Sequence, residues 1–413
     1  MTESRFTYAV VASELHDAAV VDSITAGHRA LLEETGGHRG GPDDIANAPF
    51  LILVATGGTE RRILHLLEER SRVAREPALL VAHPLHNSLP ACLETLARIR
   101  QDGGTGRILY LPDPSSEQDR ATVSDAIVDV TAVHRFRQAR IGLVGGASDW
   151  LVASSPSPAA VRQAWGPTVV TIPTEEVLAG YGSAPEVDTE RLTTDITSVT
   201  GVSTVTVSEI RKAARLEPAL HKVVYDRTLD AVAVRCFDLL SEPGTSGCVA
   251  LAALNDERIV AGCEGDLNST LAMMWVRYLY DTSSWIANPA RLDPATDTVT
   301  LAHCTIAPSL VTGVELTTHF ESGIGVGIRG HLPEADVTLI RIGGSRLERL
   351  WLGEGHITHN GHSEHLCRTQ VDVSLPPGTV EDILERPLGN HVVLMPGHHA
   401  RRLRRWWNMV VNR

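Results

Sequence analysis

The chain contains no uninterrupted apolar stretch long enough to cross a bilayer, so no membrane-spanning helix is expected in it. Its first residues do not join a basic start to an apolar segment, so no secretory leader is expected. It has no surplus of positive charge. The formal net charge is −13, which argues against a nucleic-acid or anionic-membrane partner, because both require basic surface. The six cysteines, Cys92, Cys236, Cys248, Cys263, Cys304 and Cys367, form no C-x-x-C pair. A disulfide framework or zinc ribbon is not expected, and reduced thiols in a cytoplasmic enzyme fit better. No internal repeat or low-complexity tract is evident.

What is present is ordinary globular material of unusual length for one core. With 413 residues, 43% of them hydrophobic, two or three domains are expected. Residues 5–140 alternate apolar strands with helical spacing. Phe6–Ala12, Phe50–Ala55, Ala78–Ala82 and Arg107–Leu111 read as strands; Val20–Thr35, Glu60–Arg75, Leu89–Arg100 and Glu117–Gln138 read as helices. Continuous apolar strands between helices imply a parallel sheet covered on both faces. The segment Gly36–Ala48 reads as a flexible loop. Gly57 and Gly58 follow a strand, where such sheets bind ligands. They either contact a sugar or an anion, or only make a tight turn.

Arg140–Val144 starts a second α/β unit. Thr189–Glu217 reads as polar and partly helical with a break at Pro218, and Asp226–Cys236 reads as a helix. Trp285–Ala287 reads as a short strand ending at Asn288. From Asp297 the pattern changes to short strands between turn residues: Val299–Ala302, Gly325–Arg329, Val337–Ile342, Leu347–Gly353, Thr369–Val373 and Val392–Met395. This predicts a mainly antiparallel β-domain. His356, His359, His362 and His365 fall at three-residue intervals, but the neighbouring glycines favour a loop over a metal-binding helix. The basic tail helix Ala400–Met409 carries Trp406 and Trp407, which predicts packing on the domain or on a neighbouring subunit.

The stretch Ala261–Asn268 stands apart. Glu264 and Asp266 lie two positions apart between small residues, just before a helical run. Small residues let a ligand approach the backbone. Acidic groups at a helix start can bind a cation or move a proton. Asp266 reads as a support for the helix start or for another ligand, and is kept as a catalytic candidate. His303 reads as a packed core histidine more readily than as a ligand.

Several ordered phrases resemble the L-fucose isomerase-like family, a relative of L-arabinose isomerase. They are Val234-Arg235-Cys236-Phe237, Gly262-Cys263-Glu264-Gly265-Asp266, Leu301-Ala302-His303-Cys304-Thr305, Leu366–Val371 and Leu388-Gly389-Asn390-His391, with Arg140–Gly146 and Asp149-Trp150 before them. The resemblance covers about residues 140–413. It implies two Rossmann/flavodoxin-like α/β domains, 1–139 and 140–296, and a C-terminal mainly antiparallel β-barrel-like domain, 297–413. It also implies a homo-oligomer, trimer or hexamer, with active sites near subunit boundaries. The implied activity is aldose–ketose interconversion of a sugar or sugar derivative with a divalent cation, usually Mn²⁺. The resemblance makes Glu264 a metal ligand and base and His391 a metal ligand. Asn390, His303, Trp150, Gly57 and Gly58 are then substrate-side candidates.

Isomerisation moves a proton between two adjacent carbons through an enediol. A hard cation stabilises the negative charge that develops on their oxygens, and a carboxylate carries the proton. The chain departs from the family at one ligand, where Asn288 stands in place of an aspartate. An amide oxygen can still reach a metal, but it has no charge and cannot act as a base. Asp281 or Asp293 would compensate if the alignment slips. Asn288 therefore keeps a second expectation open: metal-independent chemistry of an epimerase or lyase type on a sugar-like metabolite, or sugar binding without catalysis.

Overall fold

The computed structural model describes residues 6–411. The chain divides into two compact units. The first comprises residues up to Phe136 together with the tail from Arg402, and the second runs from Arg137 to Arg401.

The first unit holds a five-stranded parallel sheet in the order Gly37–Arg39, Phe6–Val11, Phe50–Val54, Ala78–Ala82, Gly106–Tyr110. This is the flavodoxin-like strand order. The central strands are buried on both faces, as continuous Leu/Ile/Val runs require. The segment 36–48 is not the flexible loop expected from its composition. Gly37–Arg39 pairs with Phe6–Tyr8 as an edge strand. The buried Arg70 guanidinium donates to the carbonyls of Pro42, Ile45 and Ala48 and is paired with Glu76 at 2.8 Å. One long cation thus satisfies backbone acceptors that a polar loop would leave to water. Trp406 of the tail helix Ala400–Val410 donates to the Asp129 carbonyl at 2.8 Å, and Arg402 pairs with Asp129. The tail from Arg402 belongs with this sheet unit, and the β-domain to which the sequence reading assigned it lies in the other unit.

The second unit begins with a four-stranded parallel sheet, ordered Val260–Cys263, Ala231–Val234, Arg140–Val144, Thr168–Ile172. One local expectation fails here: Ala231–Val234 is a buried strand and not the end of a helix. The break expected at Pro218 falls three residues earlier, where helix Val207–Ala214 ends and helix Leu216–Asp226 begins; Pro218 sits in the first turn of the second helix, where its missing N–H costs nothing. A polar stretch also hides a strand. Thr200–Ser203 pairs with Gly313–Thr317, which pairs with Gly327–His331 in a separate three-stranded sheet.

Six antiparallel strands close a barrel: Trp285–Asp293, Thr298–His303, Thr369–Ser374, Arg349–Asn360, Asp336–Gly343 and Val392–Pro396. Period-two residues fill its core, among them Val299 and Leu301, Val337 and Leu339, Val371 and Val373, Val392 and Leu394. The strand expected to end at Asn288 instead runs on to Asp293, with an irregularity between Pro289 and Arg291. His356 and His359 lie on a strand, and His356 pairs with Asp336. Helix Leu267–Tyr280 is buried along nearly its whole length, as an apolar helix inside a unit should be. No helix of the described residues is long and apolar enough to cross a membrane.

Candidate metal centre

Glu264 is presented by a tight turn at the carboxyl end of strand Val260–Cys263. Asp266 donates its N–H to the Cys263 carbonyl at 3.0 Å, and Glu264 and Gly265 both take positive φ, 61° and 69°. These are the φ signs of a type I′ turn, which favours Asn-Gly. A glutamate there is held in a left-handed conformation costing on the order of 1 kcal/mol, an outlier of the kind that clusters at functional sites. The small residues do not open the backbone to a ligand as expected. Gly265 packs against the adjacent loop instead: a Cβ on it would lie 2.1 Å from the Gly146 carbonyl oxygen. Ser148 in that loop donates to the Glu264 carbonyl at 2.8 Å. Gly265→Ala should therefore lower thermal stability, by about 1–3 kcal/mol from the backbone conformation and further from the overlap. A thermal melt unchanged from wild type would contradict this account of the turn.

Barrel strand ends supply the facing side chains. His303 ends its strand, and His391 immediately precedes Val392–Pro396. His303 Nε2 lies 3.6 Å and His391 Nε2 3.5 Å from Glu264 Oε1. One donor atom from each of Glu264, His303 and His391 lies within 4.8 Å of the others. All three residues are buried, and Nε2 of His391 and Nδ1 of His303 have no hydrogen-bond partner. Orphaned buried imidazole nitrogens are costly unless a ligand or ion uses them. Two imidazoles and a carboxylate form a donor set that suits a divalent transition-metal ion, so the residues present fit a metal.

Asp266 stands behind this set. It is fully buried and caps the helix Leu267–Tyr280 by accepting from the Ser269 N–H at 2.9 Å. Its Oδ2 accepts from His391 Nδ1 at 2.9 Å and lies 3.3 Å from the Arg341 guanidinium. The carboxylate thus fixes the ring of His391 and its tautomer. Asp266 does not line the cavity in front of Glu264. Burial alone would raise the Asp266 carboxyl, but the Arg341 charge and the His391 hydrogen bond bring it down to about 2. Burial opposes ionisation of Glu264 as well, but hydrogen bonds and charge from His303 and His391 hold it well below the usual carboxylate range. Both acids are anionic at neutral pH.

The cavity before Glu264 has a volume of about 360 Å³. Asn288, Asn390, Trp150, Phe237, His319 and Glu321 are among its lining residues. Trp150 donates its indole N–H to Glu264 Oε2 at 2.6 Å and meets Phe237 edge to face. It therefore orients the carboxylate as well as offering an aromatic wall. Asn288 reaches the cavity, whereas neither substitute carboxylate does. Asp281 pairs with Arg258 and Arg277 at the far end of its helix, and Asp293 lies at the far end of its strand and accepts from the Ala295 N–H. Gly57 and Gly58 belong to the first unit. There Gly57 donates to the His86 carbonyl at 2.8 Å and a Cβ on it would meet Asn87 at 2.8 Å, which accounts for it as a turn residue. Among the described residues no metal-sized group forms from His356, His359, His362 and His365.

From sequence His303 is a substrate-side candidate and not a ligand, Phe237 appears only within a phrase, and His319 and Glu321 are not singled out. The only early signal for His303 was its phrase, since a histidine inside an apolar strand otherwise reads as core.

No family model matches the chain. It is similar to curated sulfoquinovose isomerases. One from Alkalicoccus urumqiensis is 23% identical over 241 residues, covering 56% of this chain and 53% of that protein. One from Clostridium sp. (strain MSTE9) is 31% identical over 152 residues, covering 35% of this chain and 34% of that protein. One from Priestia aryabhattai is 24% identical over 242 residues, covering 56% of this chain and 53% of that protein. The chain spans about half the length of the first of these relatives. Its similarity is to sugar isomerases.

Proposed function

We propose that the chain is a divalent-cation-dependent sugar isomerase of the L-fucose isomerase-like group, interconverting an aldose and a ketose or a derivative of one. The observation that carries this reading is the meeting of Glu264, His303 and His391, with the buried Nε2 of His391, 3.5 Å from the Glu264 carboxylate, left without a hydrogen-bond partner. The similarity to sulfoquinovose isomerases supports the sugar-isomerase part. Mn²⁺ is the proposed ion, because carboxylate with imidazole suits it better than an all-oxygen set would. Glu264, His303 and His391 would hold the cation, which when bound supplies positive charge for the sugar oxygens that become negative in the enediol.

The chain's own residues do the rest. Glu264 takes the proton from one carbon of the open-chain sugar and returns it to the neighbouring carbon. Trp150 ties one of its oxygens and so fixes the direction in which the carboxylate faces. Asn288 and Asn390, which line the cavity, hydrogen-bond sugar hydroxyls in this reading, and Asp266 holds His391 in register. The chain acts as a homo-oligomer, a trimer or hexamer, in the cytoplasm under this reading.

Trp150→Phe keeps the aromatic contact with Phe237 but loses the hydrogen bond to Glu264. A fall of about tenfold in kcat with a nearly unchanged KM is expected, in line with the worth of a hydrogen bond to a charged group. An unchanged kcat would remove Trp150 from the positioning role.

Asn288 favours a second reading, metal-independent chemistry or sugar binding alone, because it supplies no charge where the related ligand set has one. Metal removal separates the two. Stripping the protein with a chelator should abolish interconversion of aldoses and ketoses, sulfoquinovose included among those assayed, and Mn²⁺ should restore it. Full turnover by metal-free protein would overturn the first reading in favour of the second.

A further inference from the structure

Five of the six cysteines, scattered along the sequence, line the cavity before Glu264: Cys236, Cys248, Cys263, Cys304 and Cys367. All are free thiols. Cys304 and Cys367 share the cavity wall, at the end of the barrel where their two strands pair. We infer that Cys304 and Cys367 are an oxidisable pair, which a peroxide converts into a disulfide in the wall of this cavity.

Strand pairing brings these two together. Thr298–His303 and Thr369–Ser374 are antiparallel neighbours with His303 opposite Thr369. Cys304 and Cys367 lie just beyond that pair, on the two segments at the same end of the barrel. Their accessibility differs. Cys304 is buried, while Cys367 is half-buried in the loop 361–368 between two barrel strands. Two other thiols of the same cavity wall, Cys236 and Cys263, are less free to adjust. Cys263 lies within a buried strand, and Cys236 is tied by its N–H to the Val234 carbonyl at 2.8 Å. A disulfide has strict geometric demands, so the pair with one member in a loop closes with less distortion.

The step balances with hydrogen peroxide as oxidant. The Cys367 thiol takes one oxygen to become a sulfenic acid and releases water from the peroxide. The Cys304 sulfur then attacks that sulfur, the S–O bond breaks, and a second water leaves as the S–S bond forms. Two thiols are oxidised and one peroxide is reduced. Because Cys304 directly follows His303, the new bond would tether the strand end that carries a candidate metal ligand. Thiol reductants reverse it, so in a reducing compartment the bond is transient.

The test is peptide mapping of the full chain, loaded with Mn²⁺, after exposure to hydrogen peroxide and blocking of the remaining thiols. A linked peptide pair containing Cys304 and Cys367, lost on treatment with dithiothreitol, is expected. Bound Mn²⁺ should fall with the linkage and recover with reduction. Cys367→Ser should abolish the linkage and Cys92→Ser should leave it. No linkage, a Cys236–Cys263 linkage in its place, or sulfinic acid at Cys367 alone would overturn the inference. Mapping does not depend on turnover, so failure of the isomerase assay leaves this result readable.

Discussion

Glu264→Gln should lower kcat for aldose–ketose interconversion by about 10²–10⁴-fold, the range general acid–base catalysis contributes. The glutamine keeps the size and can still accept the Trp150 N–H hydrogen bond through its amide oxygen. It cannot take a proton from carbon. It also removes the one anionic donor from the set with His303 and His391, so Mn²⁺ affinity should fall as well. Steady-state rates at saturating Mn²⁺, with bound metal measured in parallel, separate the two losses. Activity close to wild type in a metal-loaded E264Q protein would eliminate Glu264 as the base. A variant that keeps its metal but loses its rate would assign the carboxylate to proton movement more than to ligation.

Asp266→Ala should be at least as damaging, by a different route. The wild-type carboxylate is fully buried between Arg341, His391 and the start of a helix. Its loss leaves the buried Arg341 charge without its counter-ion, a change that costs about 3–5 kcal/mol in comparable buried pairs. The lost helix cap adds on the order of 1 kcal/mol. The ring of His391 loses the partner that fixes its orientation, which typically weakens metal binding about 10–100-fold. The expected outcome is a marked fall in thermal stability together with weaker Mn²⁺ binding. Asp266→Asn keeps the shape and part of the cap, so it should recover much of the stability but less of the metal affinity. If Asp266→Asn bound Mn²⁺ like wild type and D266A melted like wild type, the supporting role drawn here for Asp266 would be wrong.

These two residues show how legible the site was. Glu264 and His391 are marked in the sequence by short phrases that stand 127 positions apart. Asp266 is marked as an acid near a helix start, and its capping role follows from local chain direction alone. Its contacts with His391 and Arg341 do not, because neither is near it in sequence. From sequence alone His303 reads as a core histidine, because a lone histidine in an apolar strand is usually that. Its place beside Glu264 depends on barrel closure, and no local pattern encodes which strand ends point at the sheet edge.

The elements divide in the same way. Apolar runs such as Phe50–Val54 and the period-two residues of Val371 and Val373 declare their strands, because burial on one or two faces leaves a direct mark on the residue pattern. Thr200–Ser203 left no such mark, since it is a largely exposed strand that depends on Gly313–Thr317 for pairing. Segment 36–48 looked flexible by composition but is fastened by the distant Arg70.

By itself the sequence determined the fold class, the negative charge balance, the parallel sheets followed by antiparallel strands, and the acids at the helix start. All of these follow from local periodicity, composition or a contiguous phrase. Only the tertiary structure decided that His303 joins Glu264 and His391, that Asp281 and Asp293 do not stand in for Asn288, and that five scattered cysteines share one cavity. The physical reason is the same in each case. A site is made by side chains brought together through packing and strand register, and those contacts connect residues that have no local relationship along the chain.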